Sequence, residues 1–390
     1  MTVPKKKAVI LTGHFAVQKR RANILWLSDE LRAHGWHVTI ITTGYSWVSR
    51  LRGDRRFQSL YAPPKTGTQI IDDTLTQIFR YAPIHPFSLR NVRLDRIARP
   101  LHRAFHTYWR SRLRASLPGA DLVIVESGPP IVLADIVSRY APHAALVYRV
   151  SDDVDLLGLP PFVRQAEVRH AHLFDRISMA SPILARKFPT HETVAIDPIG
   201  IPKKLYDTDM PNPYGPNRAS YEAVCAGTTQ FDIGAVLAIA RLRPGWRLHI
   251  LGRLRGDPPP DCPENLIFHH EQPFELTAGY IRHADIGLAP YLDRPGVEYQ
   301  THQSNRILQY RYFGLPIIGP QRLCHPSVPS IYGYSDISDQ TLESTLTKAE
   351  MHKRVCSDPL PDWHDLYLSI VSTRKRPGRG CQNAKIDPPP

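Results

Sequence analysis

Short apolar runs of strand length alternate with segments of helical periodicity along most of the chain. KAVILT (7–12), WHVTIIT (36–42), DLVIVE (121–126) and AALVYRV (144–150) are nearly continuous in apolar residues and bounded by charges or turn formers, the pattern of parallel strands covered on both faces. Between the first two, residues 22–34 set Ile24, Leu25, Leu27 and Leu31 on one side and stop at Gly35, so the chain opens as a β-α-β unit. A further core segment covers 175–180. The proline-rich run 199–220 interrupts the pattern, which restarts with a strand near 224–227, a helix over about 232–241, and the strands WRLHILG (246–252) and NLIFHH (265–270). A strand over 284–291 follows, then a helix capped by Gln303 or Ser304 and stopped after Phe313 by Gly314-Leu315-Pro316, then the strand 317–319. The alternation predicts an α/β protein of two domains, 1–203 and 220–350, with a linker at 204–219 and a basic, mobile tail at 351–390.

Composition narrows the class. The chain has 390 residues, enough for two cores, and a formal net charge of +13, which points to an acidic partner such as nucleic acid, an anionic membrane or a phosphorylated substrate. Five scattered cysteines without CxxC spacing argue for a reducing compartment and against a zinc site of the Cys-rich kind. No signal-peptide pattern follows the lysines at 5–7, and no apolar run approaches the roughly 18 residues of a membrane span, so any membrane is met from the cytoplasmic surface. Residues 76–116 interleave arginines with aromatic and aliphatic residues at near-helical spacing interrupted at Pro100, which predicts one or two amphipathic helices with a basic face; that face suits an anionic lipid surface and equally suits water.

Candidate chemistry gathers at the carboxyl ends of predicted strands, where α/β sheets hold ligands. The helix beginning near Ser304 directs unpaired N–H groups outward, with Asn305 and Arg306 in its first turn and Gln309 one turn on, a set suited to a diphosphate bearing a sugar. The strand 144–150 runs into Ser151-Asp152-Asp153, placing carboxylates where a general base acts, while Asp153 also reads as a helix cap. The loop after the first strand, His14 to Arg21, carries Lys19, Arg20 and Arg21 beside Phe15, and its place at a sheet mouth gives it an acceptor-facing or membrane-facing role. There is no G-x-G-x-x-G, and the histidines are too dispersed along the chain to mark a site by sequence alone.

The chain also resembles a specific family, the inverting glucuronosyltransferases of the GumK type that act in xanthan assembly. The resemblance is carried by HF at 14–15, RRAN (20–23), SRLRGD (49–54), HPF (85–87), VESG (125–128), LVYRVSD (146–152), Phe231-Asp232, Glu271, YIRHADIGLAPY (280–291) and LQYRYFGLP (308–316). It implies a GT-B fold, two Rossmann-like domains facing across a cleft, and transfer from UDP-glucuronic acid to a polyprenyl-diphosphate-linked oligosaccharide at the cytoplasmic face of the inner membrane. It further implies Asp152 as general base, Arg306 in place of a diphosphate-neutralising lysine, and Tyr291, Gln309, Asp232 and Glu271 as donor-site positions. Asn305 and Thr229 each replace a methionine of the family. No metal and no cofactor is implied, the UDP-sugar being a substrate. Two other readings stay open on the residues alone: a transferase of the same type using another UDP-sugar, and a non-catalytic basic protein that binds nucleic acid or a lipid-linked glycan.

Overall fold

The computed structural model describes residues 5–376 apart from 20, 52, 55, 58, 59, 90, 255, 353 and 355–358. The chain forms two units, Met1–Asp197 together with Trp363–Pro390, and Pro198–Asp362.

The first unit is built on an eight-stranded sheet of order β3-β4-β2-β1-β5-β6-β7-β8. Its strands are β1 (Lys7–Thr12), β2 (His37–Thr42), β3 (Gly67–Asp72), β4 (Leu75–Phe79), β5 (Leu122–Glu126), β6 (Ala145–Val150), β7 (Arg176–Met179) and β8 (Val194–Ile196). All neighbours are parallel except β3, which pairs antiparallel with β4 at the edge. The central strands β1, β5 and β6 are buried almost end to end, which is why they read as continuous apolar runs. The β3–β4 hairpin left no such signal, because β3 is an edge strand with Ile70 80% exposed.

The basic stretch forms one of the amphipathic helices expected of it, but begins with a strand. Residues 75–79 are β4, and a single helix, Val92–Ser116, continues through Pro100. Asn91 caps it by accepting from the backbone N–H groups of Arg93 and Leu94. Phe105, Trp109 and Leu113, four residues apart, bury one stripe of its carboxyl-terminal half in the core.

The second unit carries a six-stranded parallel sheet of order β11-β10-β9-β12-β13-β14. These strands are β9 (Tyr221–Ala226), β10 (Trp246–Leu251), β11 (Leu266–Phe268), β12 (Ile286–Leu288), β13 (Ile317–Pro320) and β14 (Ile331–Tyr334). In order of appearance this is 3-2-1-4-5-6, the doubly wound order whose switch point lies between its first and fourth strands, here β9 and β12.

The expected domain limits shift. Residues 204–219 are part of the second unit rather than a linker outside both: Tyr206 and Tyr214 are buried, and the Tyr214 hydroxyl donates to the Tyr280 carbonyl at 2.6 Å. The second unit extends to Asp362, and the helix Trp363–Val371 returns to the first unit, burying Trp363, Leu366 and Ile370. The sequence lacked a signal for this because the helix follows a polar segment and packs on elements more than 300 residues away. The tail expected to be mobile lies, from 377 on, outside the described residues.

Candidate active site

In the second unit β9 ends at Ala226 and turns through Gly227, whose φ of 98° favours glycine. Ser304 caps the helix Asn305–Tyr312, its hydroxyl accepting from the Ile307 N–H, so Arg306 falls in the first turn. The Arg306 side chain reaches the switch point: Nε donates to the Ala226 carbonyl at 3.0 Å and Nη2 to the Gly227 carbonyl. Its guanidinium lies 4.7 Å from the ring centre of Tyr291, whose hydroxyl shares a 2.6 Å hydrogen bond with Ser304.

Arg306 is 5% exposed, and no carboxylate among the described residues pairs with it. Burial pushes the neighbouring Cys225 thiol and Tyr310 phenol up, so both are neutral near pH 7 and neither balances the charge. Nη1 is buried with no hydrogen-bond partner among the described residues. A buried cation with a spare donor and no counterion costs several kcal/mol unless an anion joins it.

The other expected donor residues separate into distinct environments. Gln309 is buried one turn into the helix, and Asn305 is half-buried at the helix start. Asp232 caps the helix Ile233–Leu242, accepting from the Ala235 N–H at 3.2 Å, while its own N–H donates to the Pro290 carbonyl at 2.8 Å. Glu271 is exposed in the loop that follows β11. Tyr310, quoted in the sequence only within a motif, is structural: its hydroxyl accepts from the Ala226 N–H at 2.9 Å and meets the carbonyls of Val224 and Leu288.

In the first unit the sheet reverses between β1 and β5, and a second polar constellation occupies that point. Glu126, the last residue of β5, is buried; it accepts from the Thr12 hydroxyl at the end of β1 and from the Ser151 hydroxyl after β6 at 2.8 Å. Ser127 accepts from the backbone N–H groups of Ser151 and Asp152 at 3.1 and 3.0 Å. Asp152 is thereby held, half-buried, at the mouth of the sheet. Asp153 is committed elsewhere: its carboxylate caps the short turn Val154–Leu156 and pairs with Lys187. Glu126 and Thr12 were missed in the sequence because each reads as the terminal residue of a strand; only their shared position at strand ends could have flagged them.

The loop after β1 is less open than its composition suggests. Phe15 is buried, 4.8 Å from Phe79 and 5.2 Å from Tyr45 between ring centres, so it belongs to the core. The His14 N–H donates to the Thr12 hydroxyl at 3.0 Å, and Arg21 pairs with Asp29 and covers Trp26. Lys19 is exposed, and Arg20 lies outside the described residues.

The chain is similar to known proteins in sequence and in fold. Residues 10–180 match the family model described as the glucuronosyltransferase GumK, N-terminal domain. The chain is 26% identical over 378 residues, covering 95% of it and 90% of the relative, to the UDP-glucuronate:glycolipid 2-beta-glucuronosyltransferase of Xanthomonas campestris pv. campestris. Among solved structures it is similar to a trehalose-6-phosphate protein from E. coli bound with UDP-2-fluoro glucose, with a TM-score of 0.61 at 12% identity, covering 97% of each chain. An alpha,alpha-trehalose-phosphate synthase from Burkholderia xenovorans gives a TM-score of 0.58 at 13% identity, covering 97% of this chain and 96% of the other. At such identities these structures show the fold alone, the GT-B architecture of two Rossmann-like domains.

Proposed function

We propose that this glycosyltransferase of GT-B architecture, similar over residues 10–180 to the GumK N-terminal domain, transfers a glucuronosyl residue from UDP-glucuronic acid, with inversion, to a polyprenyl-diphosphate-linked oligosaccharide in exopolysaccharide assembly. The observation that carries the donor half is the buried, uncompensated guanidinium of Arg306 at the switch point of the second sheet. A UDP diphosphate supplies the anion that this charge lacks. As the bond to the sugar breaks, negative charge grows on the leaving phosphate, and Arg306 with the first-turn N–H groups of its helix stabilises it without a metal ion. In this reading Asn305 and Tyr291, beside Arg306, and Gln309, one turn on, also serve the donor, and Asp232 and Glu271 are further donor contacts.

Asp152 is the general base in this reading. It takes the proton of the acceptor hydroxyl while that oxygen attacks the anomeric carbon opposite UDP, so an α-linked donor gives a β-linked product. The hydroxyl and carboxylate links from Glu126 through Ser151, and the Ser127 clamp on the backbone, fix where that carboxylate stands. No cofactor beyond the two substrates takes part.

The lipid carrier places the reaction at the cytoplasmic face of the inner membrane, with the protein peripheral. Exposed apolar residues beside cations support this: Val17 near Lys19, Trp47 under Arg50, and Leu94 beside Arg93. No described helix is long and apolar enough to cross a membrane. Sedimentation with vesicles tests the placement: binding to anionic but not neutral vesicles, weakened by salt, is expected, and equal recovery in the supernatant with both would refute it. For the chemistry, purified protein is offered UDP-glucuronic acid, UDP-glucose and UDP-galactose with a lipid-linked oligosaccharide, and turnover confined to the first is expected.

A further inference from the structure

Glu30, His34 and His364 stand together on the first unit, far apart in sequence and outside the machinery described above. Glu30 lies in the helix Asn23–Ala33, His34 follows one turn later, and His364 belongs to the returning helix Trp363–Val371. The Nδ1 atoms of His34 and His364 lie 3.9 and 3.8 Å from the same carboxylate oxygen of Glu30. One ligand atom from each residue lies within 4.8 Å of the other two.

The scaffold beneath is fixed. Trp26 and Trp363 stack at 6.3 Å and 14°, and Ser369, further along the returning helix, donates to Asp197 and accepts from Arg176. Both imidazoles are exposed, with His34 stacked on Tyr367 at 4.2 Å and on His364 at 4.8 Å between ring centres, so a metal ion gathers them by turning these stacked rings about their side-chain bonds while the helices stay in place.

Two imidazoles and one carboxylate form a donor set suited to zinc and its neighbours in the first transition row. With bonds of about 2.0–2.2 Å in a tetrahedral site, adjacent ligand atoms stand roughly 3.3–3.5 Å apart. The Glu30 spacings therefore close by about half an ångström and the gap between the two imidazoles, within 4.8 Å, by up to about 1.4 Å, with water as the remaining ligand. We propose that Glu30, His34 and His364 bind a divalent transition-metal ion, which staples the carboxyl-terminal helix to the first helix of the amino-terminal domain. Binding replaces the 2.8 Å hydrogen bond between His34 Nδ1 and the Glu30 carbonyl and requires both rings unprotonated, so acid opposes it.

The test uses the full chain without an affinity tag. Co2+ is titrated while visible d–d absorption is followed, Zn2+ is added in competition, and melting is recorded with and without Zn2+. About one equivalent of Co2+ is expected to bind and to be displaced by Zn2+, with a rise in Tm. His364→Ala and Glu30→Gln each lower the affinity at least tenfold and abolish the rise, while sugar transfer persists. Should His364→Ala fail to fold, the near-isosteric Glu30→Gln decides alone. Absence of saturable Co2+ binding below the millimolar range, or binding unchanged in Glu30→Gln, overturns the proposal.

Discussion

The guanidinium of Arg306 and the ring of Tyr291 lie 4.7 Å apart, and the same guanidinium holds the carbonyls of Ala226 and Gly227, so one side chain ties the end of β9 to the segment after β12. The charge on that side chain is buried without a counterion among the described residues.

Replacing that charge separates binding from folding. In Arg306→Met the buried charge is gone but the Ala226 and Gly227 carbonyls lose their donor, so the unliganded protein loses about 1–3 kcal/mol, and the rise in Tm that UDP gives the wild type disappears. Arg306→Lys keeps a charge yet cannot span both carbonyls, and a fall in UDP affinity of about tenfold or more is expected by calorimetry.

The two adjacent aspartates respond oppositely. Asp152→Asn lowers kcat by roughly 10²–10⁴, the usual span for a lost general base, with UDP binding unchanged. Asp153→Asn leaves Lys187 with Asp155 as its carboxylate partner while the cap is kept, so the expected loss is of stability, about 1–3 kcal/mol by denaturant unfolding.

Gly287 marks a close approach. A Cβ at this position in β12 would come within 2.4 Å of the ring of Tyr310, whose hydroxyl joins β9 to β12. Gly287→Ala therefore costs about 1–3 kcal/mol through overpacking, read as a lowered midpoint in urea, and weakens UDP binding because Arg306 sits on the same helix as Tyr310.

Much of this was legible in the sequence, for definite reasons. Strands buried on both faces, such as β1, β5 and β9, read as apolar runs, and Ser304 and Asp153 were legible as caps because a short polar side chain at a helix start has few other uses. The basic run at 76–116 was legible as an amphipathic helix over 92–116, with Pro100 accommodated near its start, but the short strand LTQIF at 75–79 was not, because Thr76 and Gln77 break its apolar run. Phe15 looked exposed beside three cations, yet Phe79 and Tyr45 enclose it; cross-strand packing leaves no local trace. Glu126 was invisible as a site residue since its partners, Thr12 and Ser151, are brought to it only by the order of strands in the sheet.

Acidity tests a group near the donor helix. Burial, aided by His325 and Arg311, pushes the His302 pKa down to about 4 from an ordinary 6.5. The unfolded chain thus binds more protons between these values, so stability is fully present above about pH 6.5 and is lost as pH falls toward about 4. Unfolding midpoints across that window should decline less steeply in His302→Gln than in the wild type.

The central claim is that this protein moves glucuronate from UDP to a lipid-linked glycan through Asp152 and Arg306. Mass spectrometry of the lipid-linked acceptor after incubation with UDP-glucuronic acid measures this most directly. A mass gain of one hexuronic acid with the wild type, β-linked by NMR and absent with Asp152→Asn and Arg306→Met, is the predicted result. A gain of a neutral hexose from another UDP-sugar, or undiminished glucuronate transfer by either variant, would contradict it.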